Sequence, residues 1–155
     1  MQTVNLAKAL KIKNRLAGEL KRLQQLLVRE NSKLVGASGM SELECVNTYI
    51  AIVETTNKLV AVKTEIAKAN VGIYKQINSI AELKGLIAFC ATVPTNDGKI
   101  KEEAGWREAT VFSEYKAVYT KASFDKFSQK ASEEIDTLQD EIDVYNATTQ
   151  VDLDV

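Results

Sequence analysis

Residues 16–27, Leu16-Ala17-Gly18-Glu19-Leu20-Lys21-Arg22-Leu23-Gln24-Gln25-Leu26-Leu27, decide the fold class. Leu16, Leu20, Leu23 and Leu27 step by four, three and four. That spacing sets side chains on one stripe of an α-helix and, when sustained, makes a heptad-like seam. Charged and amide side chains occupy the flanks. Such a helix is marginal alone in water and gains stability by burying its stripe on another helix. Upstream, the stripe continues through Leu10 and Leu6 to Asn5, whose side-chain oxygen can accept a backbone N–H as an N-cap. Downstream it reaches Leu34, and Gly36-Ala37-Ser38-Gly39 then supplies the backbone freedom that ends a helix. The spacing predicts a first helix over about 5–34.

The same reading extends along the chain. Ser41-Glu42-Leu43-Glu44 has the form of a capping box and opens a second helix over about 41–70. Val46, Ile50, Val53, Leu59, Val60, Ile66 and Ala69 read as its one broad apolar face. A break or bend is expected near Asn70-Val71-Gly72. A third helix over about 72–92 carries Ile73, Ile77, Ile80, Leu83, Ile87 and Cys90 and ends before Pro94. The last helix, about 123–147, carries Phe124, Phe127, Ala131, Ile135, Leu138, Ile142 and Tyr145. Between them, residues 93–122 lack helical periodicity. Thr95-Asn96-Asp97-Gly98 is a turn signal, and the Val, Phe, Tyr and Thr content of Thr110 to Thr120 allows a short strand pair or an extended loop. The expected fold is all-α: an elongated antiparallel bundle of about four long helices in a single domain over 1–155, with a short irregular or β-hairpin insertion before the last helix.

Composition agrees. The 155 residues are 45% hydrophobic and 26% charged, with only 7 Gly and 1 Pro, the two residues that helix interiors exclude. A formal net charge of -1 provides no global field for nucleic acid or an anionic membrane. No apolar run is long enough to span a bilayer. The start, Met1-Gln2-Thr3-Val4-Asn5, lacks a basic region followed by an apolar one. Cys45 and Cys90 have no paired spacing and read as small hydrophobes in a reducing compartment, so a cytoplasmic location is expected. Their spacing leaves a disulfide between them open.

The chemistry-bearing residues narrow the function. No histidine occurs, which excludes Ser-His-Asp and Cys-His catalysis, His-ligated zinc, haem on a proximal His and the Glu-x-x-His di-iron bundle. Neither a phosphate-cradling Gly loop nor a nucleophile elbow is present. Glu133, Asp136, Asp140 and Asp143 lie three and four apart, and clustered carboxylates suit magnesium. All four come from one helix beside an apolar seam, so a solvated or salt-bridged face is expected. No catalytic residue, cofactor or metal is assigned. Residues 1–33 hold eight basic groups, Lys8, Lys11, Lys13, Arg15, Lys21, Arg22, Arg29 and Lys33, against Glu19 and Glu30. They fall on several faces without aromatic interleaving, which is no strong nucleic-acid signal. Residues 131–155 hold eight acidic groups and no basic one. The two segments are expected to lie side by side, within one chain or across a subunit interface. Trp106 follows Gly105 in the irregular segment; it could be a ligand lid or partner anchor, and the expectation is that it covers an open end of the bundle.

Three short strings carry a resemblance. Asn5-Leu6-Ala7-Lys8-Ala9-Leu10 resembles the L-A-E-A-L opening of the septicolysin-like family of uncharacterised bacterial helical proteins, with Lys8 where Glu is usual. Glu65-Ile66-Ala67-Lys68-Ala69-Asn70 is similar to that family's I-x-x-T-N close of its second long helix. The segment Leu138-Gln139-Asp140-Glu141-Ile142-Asp143-Val144-Tyr145-Asn146-Ala147-Thr148-Thr149 resembles its final segment, where Asn-x-x-Thr follows the last helix. The resemblance implies a small helical protein without an assigned activity. It singles out Asn70 and Asn146, whose expected role is helix C-capping in the left-handed conformation.

The leading expectation is a non-enzymatic, self-associating helical structural or interaction protein, a homo-oligomer. The alternative is a small-molecule or nucleotide-handling enzyme with a carboxylate and lysine site at a subunit interface. A partner-binding adaptor is a third option, which predicts an exposed apolar patch.

Overall fold

The computed structural model describes residues 2–102 and 111–154. Among these residues four α-helices dominate: α1 (Leu6–Glu30), α2 (Glu42–Ala69), α3 (Tyr74–Thr92) and α4 (Lys121–Thr148). Four short strands accompany them: β1 (Gln2–Asn5), β2 (Gly98–Glu102), β3 (Val111–Tyr115) and β4 (Gln150–Leu153). The strands form two separate antiparallel pairs, β1 with β4 and β2 with β3. The all-α expectation is therefore corrected to a helix-dominated fold with two small sheets. The hairpin before the last helix is one of the two forms the sequence allows there. The terminal pair is not expected from it, because four residues are too few for alternation to stand out against the helical pattern beside them.

The chain divides into two compact units, Met1–Tyr74 with Ile142–Val155, and Lys75–Glu141. The first is built on an antiparallel α1–α2 pair. At one end the Cys45 Sγ lies 3.8 Å from the Glu30 carbonyl oxygen. At the other, Leu6 and Ala9 share a buried cluster with Val62 and Ile66. β1 and β4 close that second end. Val4 pairs with Val151 and Gln2 with Leu153, and Val4, Val151 and Leu153 enter the same cluster. Leu6, Leu153 and Val62 are its largest fully buried side chains.

Local signals explain the helix limits. The Asn5 Oδ1 accepts the Lys8 N–H at 2.9 Å, the expected cap, on a residue that also ends β1. Ser41 and Glu44 form the reciprocal box: the Glu44 N–H donates to the Ser41 Oγ at 3.3 Å, and the Ser41 N–H to the Glu44 Oε2 at 2.6 Å. α1 stops at Glu30, one turn before Leu34, which stands exposed. Between α2 and α3 the chain tightens into a 3-10 turn, Asn70–Ile73, rather than breaking.

The second unit carries most of α3 and α4 with the β2–β3 hairpin, whose register runs from Gly98 opposite Tyr115 to Glu102 opposite Val111. The Gln76 Nε2 of α3 donates to the Glu141 Oε2 of α4 at 3.3 Å. Ile80, Cys90 and Ala131 are buried here. α4 starts at Lys121, two residues ahead of Ser123, because the Thr120 Oγ1 accepts the Ser123 N–H at 3.3 Å.

Candidate functional site

α2 carries two apolar faces. Thr48, Thr55, Leu59, Val62 and Ile66 are its buried residues, at the three-four spacing of a helix–helix seam. Val46, Ile50, Val53 and Val60 do not join them. Val46 is 48% exposed, Val53 43% and Val60 57%. The one broad face expected from sequence is corrected accordingly: Leu59 and Ile66 turn inward, whereas Val46, Ile50, Val53 and Val60 form a second stripe toward solvent. Valine recurs at positions 46, 53 and 60, seven apart. A seven-residue step returns to nearly the same side of a helix. A helix apolar on opposite sides is ordinarily covered on both.

Beside the N-terminal end of this stripe lies an open cleft of about 560 Å³, lined among others by Glu30, Lys33, Met40, Cys45 and Tyr49. The loop between α1 and α2 shapes it. The Lys33 Nζ sits 2.6 Å from the Glu30 Oε2, with side chains 20% and 14% exposed. The same amine donates to the Met40 carbonyl at 3.3 Å, and the Met40 N–H donates to the Glu30 Oε2 at 3.2 Å. Gly39, at φ 145, takes a backbone conformation that L side chains rarely adopt, and a Cβ there would also displace the Lys33 amine from its place on Glu30, so the loop favours glycine. Hydrogen bonds from Lys33, Arg29 and the Met40 N–H hold the Glu30 carboxyl down from the ordinary 4.5 to about 2. The pair is occupied with closing the loop, and Glu42, Cys45 and Tyr49 are the other ionisable side chains that line the cleft. Cys45 and Cys90 are both free thiols.

The two asparagines flank one contact. The Tyr145 hydroxyl donates to the Ala69 carbonyl at 2.8 Å, so Asn70 and Asn146 stand next in sequence to its two partners. Asn70 is the C-cap of α2, but at φ -70 and ψ -10 it is right-handed, and its N–H reaches the Ile66 and Lys68 carbonyls. The left-handed expectation is corrected: the 3-10 continuation removes the need for a reversal. Asn146 lies inside the last turns of α4 and is no cap; its buried Oδ1 has no hydrogen-bond partner among the described residues. Trp106 lies outside the described residues. Among the described residues no group of three or more acidic or sulfur side chains could hold a metal ion, and Glu133, Asp136, Asp140 and Asp143 are exposed along α4.

No protein-family model matches the chain, and no curated protein does. Its fold is shared. A functionally unknown conserved protein from Corynebacterium diphtheriae superposes with a TM-score of 0.75 at 15% identity, over 97% of this chain and 100% of that one. At that identity the likeness is one of fold alone. Neither that likeness nor the cleft assigns an activity. No helix among the described residues is long and apolar enough to cross a membrane.

The outer stripe of α2 was missed in the sequence because its residues merge with the inner seam when both are read as one face. The recoverable signal is the separate seven-residue recurrence of valine.

Proposed function

We propose that this chain is a non-enzymatic helical interaction protein that works by self-association, with the outer face of α2 as the contact surface. The observation that carries the reading is the exposed stripe Val46, Ile50, Val53 and Val60 on a helix whose opposite face is already buried. Contiguous exposed apolar surface of this kind marks protein–protein contact. The heptad recurrence gives the contact coiled-coil character. Membership of the septicolysin-like family is part of the same reading and rests on the three strings that end at Leu10, Asn70 and Thr149. Two unpaired cysteines suit a reducing, cytoplasmic setting.

Native mass spectrometry of the purified chain at low and moderate salt is the test. A discrete oligomer without added mass is expected. A monomer throughout the micromolar range, or a retained small molecule in every species, would refute self-association as the function.

A further inference from the structure

The exposed stripe of α2 has a charge pattern that selects its partner and the partner's direction. Glu42 and Glu44 open the helix; Lys63 and Lys68 stand in its last two turns. On a helical projection Glu42 falls in line with Val46, Val53 and Val60, and Lys63 and Lys68 flank that line on either side. The valines are evenly spaced about Val53, seven residues to Val46 and seven to Val60.

We infer that the occupant of this face is a second copy of the chain, whose α2 lies antiparallel across a two-fold axis passing at Val53. This rests on the self-association proposed above and adds its geometry. Rotation about such an axis sets Val53 against the partner's Val53 and Val46 against the partner's Val60. It also brings Glu42 within one turn of Lys63 of the partner subunit. The interface is isologous, so one stripe serves both copies and the assembly closes. A parallel, in-register pairing would match the valines equally well. It would, however, set Glu42 on Glu42 and Lys63 on Lys63, and like charges at a contact disfavour that register. Charge thus decides a direction that the apolar pattern leaves undetermined. From Val46 to Val60 the stripe covers roughly 21 Å of helix at 1.5 Å per residue, enough for three layers of paired side chains.

Cysteine cross-linking in a Cys45→Ala, Cys90→Ala background, checked first by native mass spectrometry for the unaltered oligomer, separates the outcomes. Val53→Cys is expected to cross-link with itself under mild oxidation. Val46→Cys and Val60→Cys are each expected to stay uncross-linked alone and to cross-link when mixed. Self-linking of all three variants would establish a parallel pair and overturn the antiparallel inference while leaving self-association standing. An oligomer that persists with no cross-link at any of the three places the contact elsewhere and overturns the inference. A monomeric background protein, where the unmutated chain is also monomeric, removes the proposed function itself. As a second readout, Val53→Glu should raise the dissociation constant at least about tenfold, as loss of a central anchor does. Glu42→Lys with Lys63→Glu in one chain should recover affinity that either change alone loses.

Discussion

At the residue scale, the contact between Tyr145 and Ala69 ties the last turn of α4 to the α2–α3 junction, and Gly72 makes room for it. A Cβ on Gly72 would overlap the Tyr145 hydroxyl. Tyr145→Phe should cost about 1 kcal/mol, because the Ala69 carbonyl loses its side-chain donor. Gly72→Ala should destabilise by a similar amount in the unaltered chain and by less in Tyr145→Phe, where the oxygen at the tightest approach is gone and only the ring edge still crowds the new Cβ. Urea unfolding of the four proteins measures the coupling, and strict additivity would show that the two groups do not compete for one space. The Glu30 carboxyl makes the second prediction. Its folded value of about 2 lies below the ordinary 4.5, so its contribution is complete above 4.5 and lost as pH falls from there toward 2. Unfolding midpoints followed from pH 6 to 2 should drop through that window, and Glu30→Gln should flatten the drop. Neither device was legible in the sequence. Asn70 and Asn146 mark the neighbourhood, but a tyrosine reaching a carbonyl 76 residues away leaves no local pattern.

At the scale of the element, legibility depended on how many faces a helix buries. α1 read cleanly because its buried residues, Leu6, Ala9, Leu16 and Leu23, form one stripe among charges. α4 read equally well: Ala131 and Ile142 are buried at expected positions. α2 did not, since Thr48 and Thr55 lie on the inner seam while valines face out. Polarity and burial are inverted there, and a pattern that equates apolar with inward merges the two faces. The capping box, by contrast, is wholly local and was read correctly. Ser41→Ala should cost about 1 kcal/mol, since the Glu44 N–H and the Ser41 hydroxyl lose each other. Glu44→Gln should cost less, because an amide oxygen still reaches the Ser41 N–H. Thermal unfolding of the two variants orders them, and equal losses would mean that the carboxylate charge, not the geometry, holds the box. Val53→Glu belongs to the same scale and tests the opposite property. Its side chain leaves no cavity, so the unfolding free energy of the monomer should stay within about 0.5 kcal/mol while association weakens.

At the scale of the whole molecule, the chain ends carry the closure of the first unit. β1 and β4 join residues separated by nearly the full sequence, and the Leu6 N–H, an orphan donor at the start of α1, is taken by the Thr149 carbonyl at 2.8 Å. The Thr3 hydroxyl adds a 2.6 Å bond to the Asp152 Oδ1. Opposite charge is the ground on which the sequence expects residues 1–33 and 131–155 to lie side by side; the pairing of β1 with β4 is made instead by a backbone ladder and apolar side chains. Only Val151 and Leu153, alternating with Gln150 and Asp152, hinted at a strand, and their partner is invisible without the fold. Leu153 is 1% exposed and belongs to the cluster that holds Leu6 and Val62. Leu153→Ala should therefore cost about 2–4 kcal/mol, the range for truncating a buried leucine. The consequence should extend beyond the strand. If the terminal pair seals the core, amide protection should fall along α1 and α2 by the same free energy, since global opening exposes them together. If β4 merely lies on a core that is complete without it, exchange would quicken at residues 150–153 alone and the unfolding midpoint would hardly move. Hydrogen exchange with mass readout on the variant separates a keystone from an appendage.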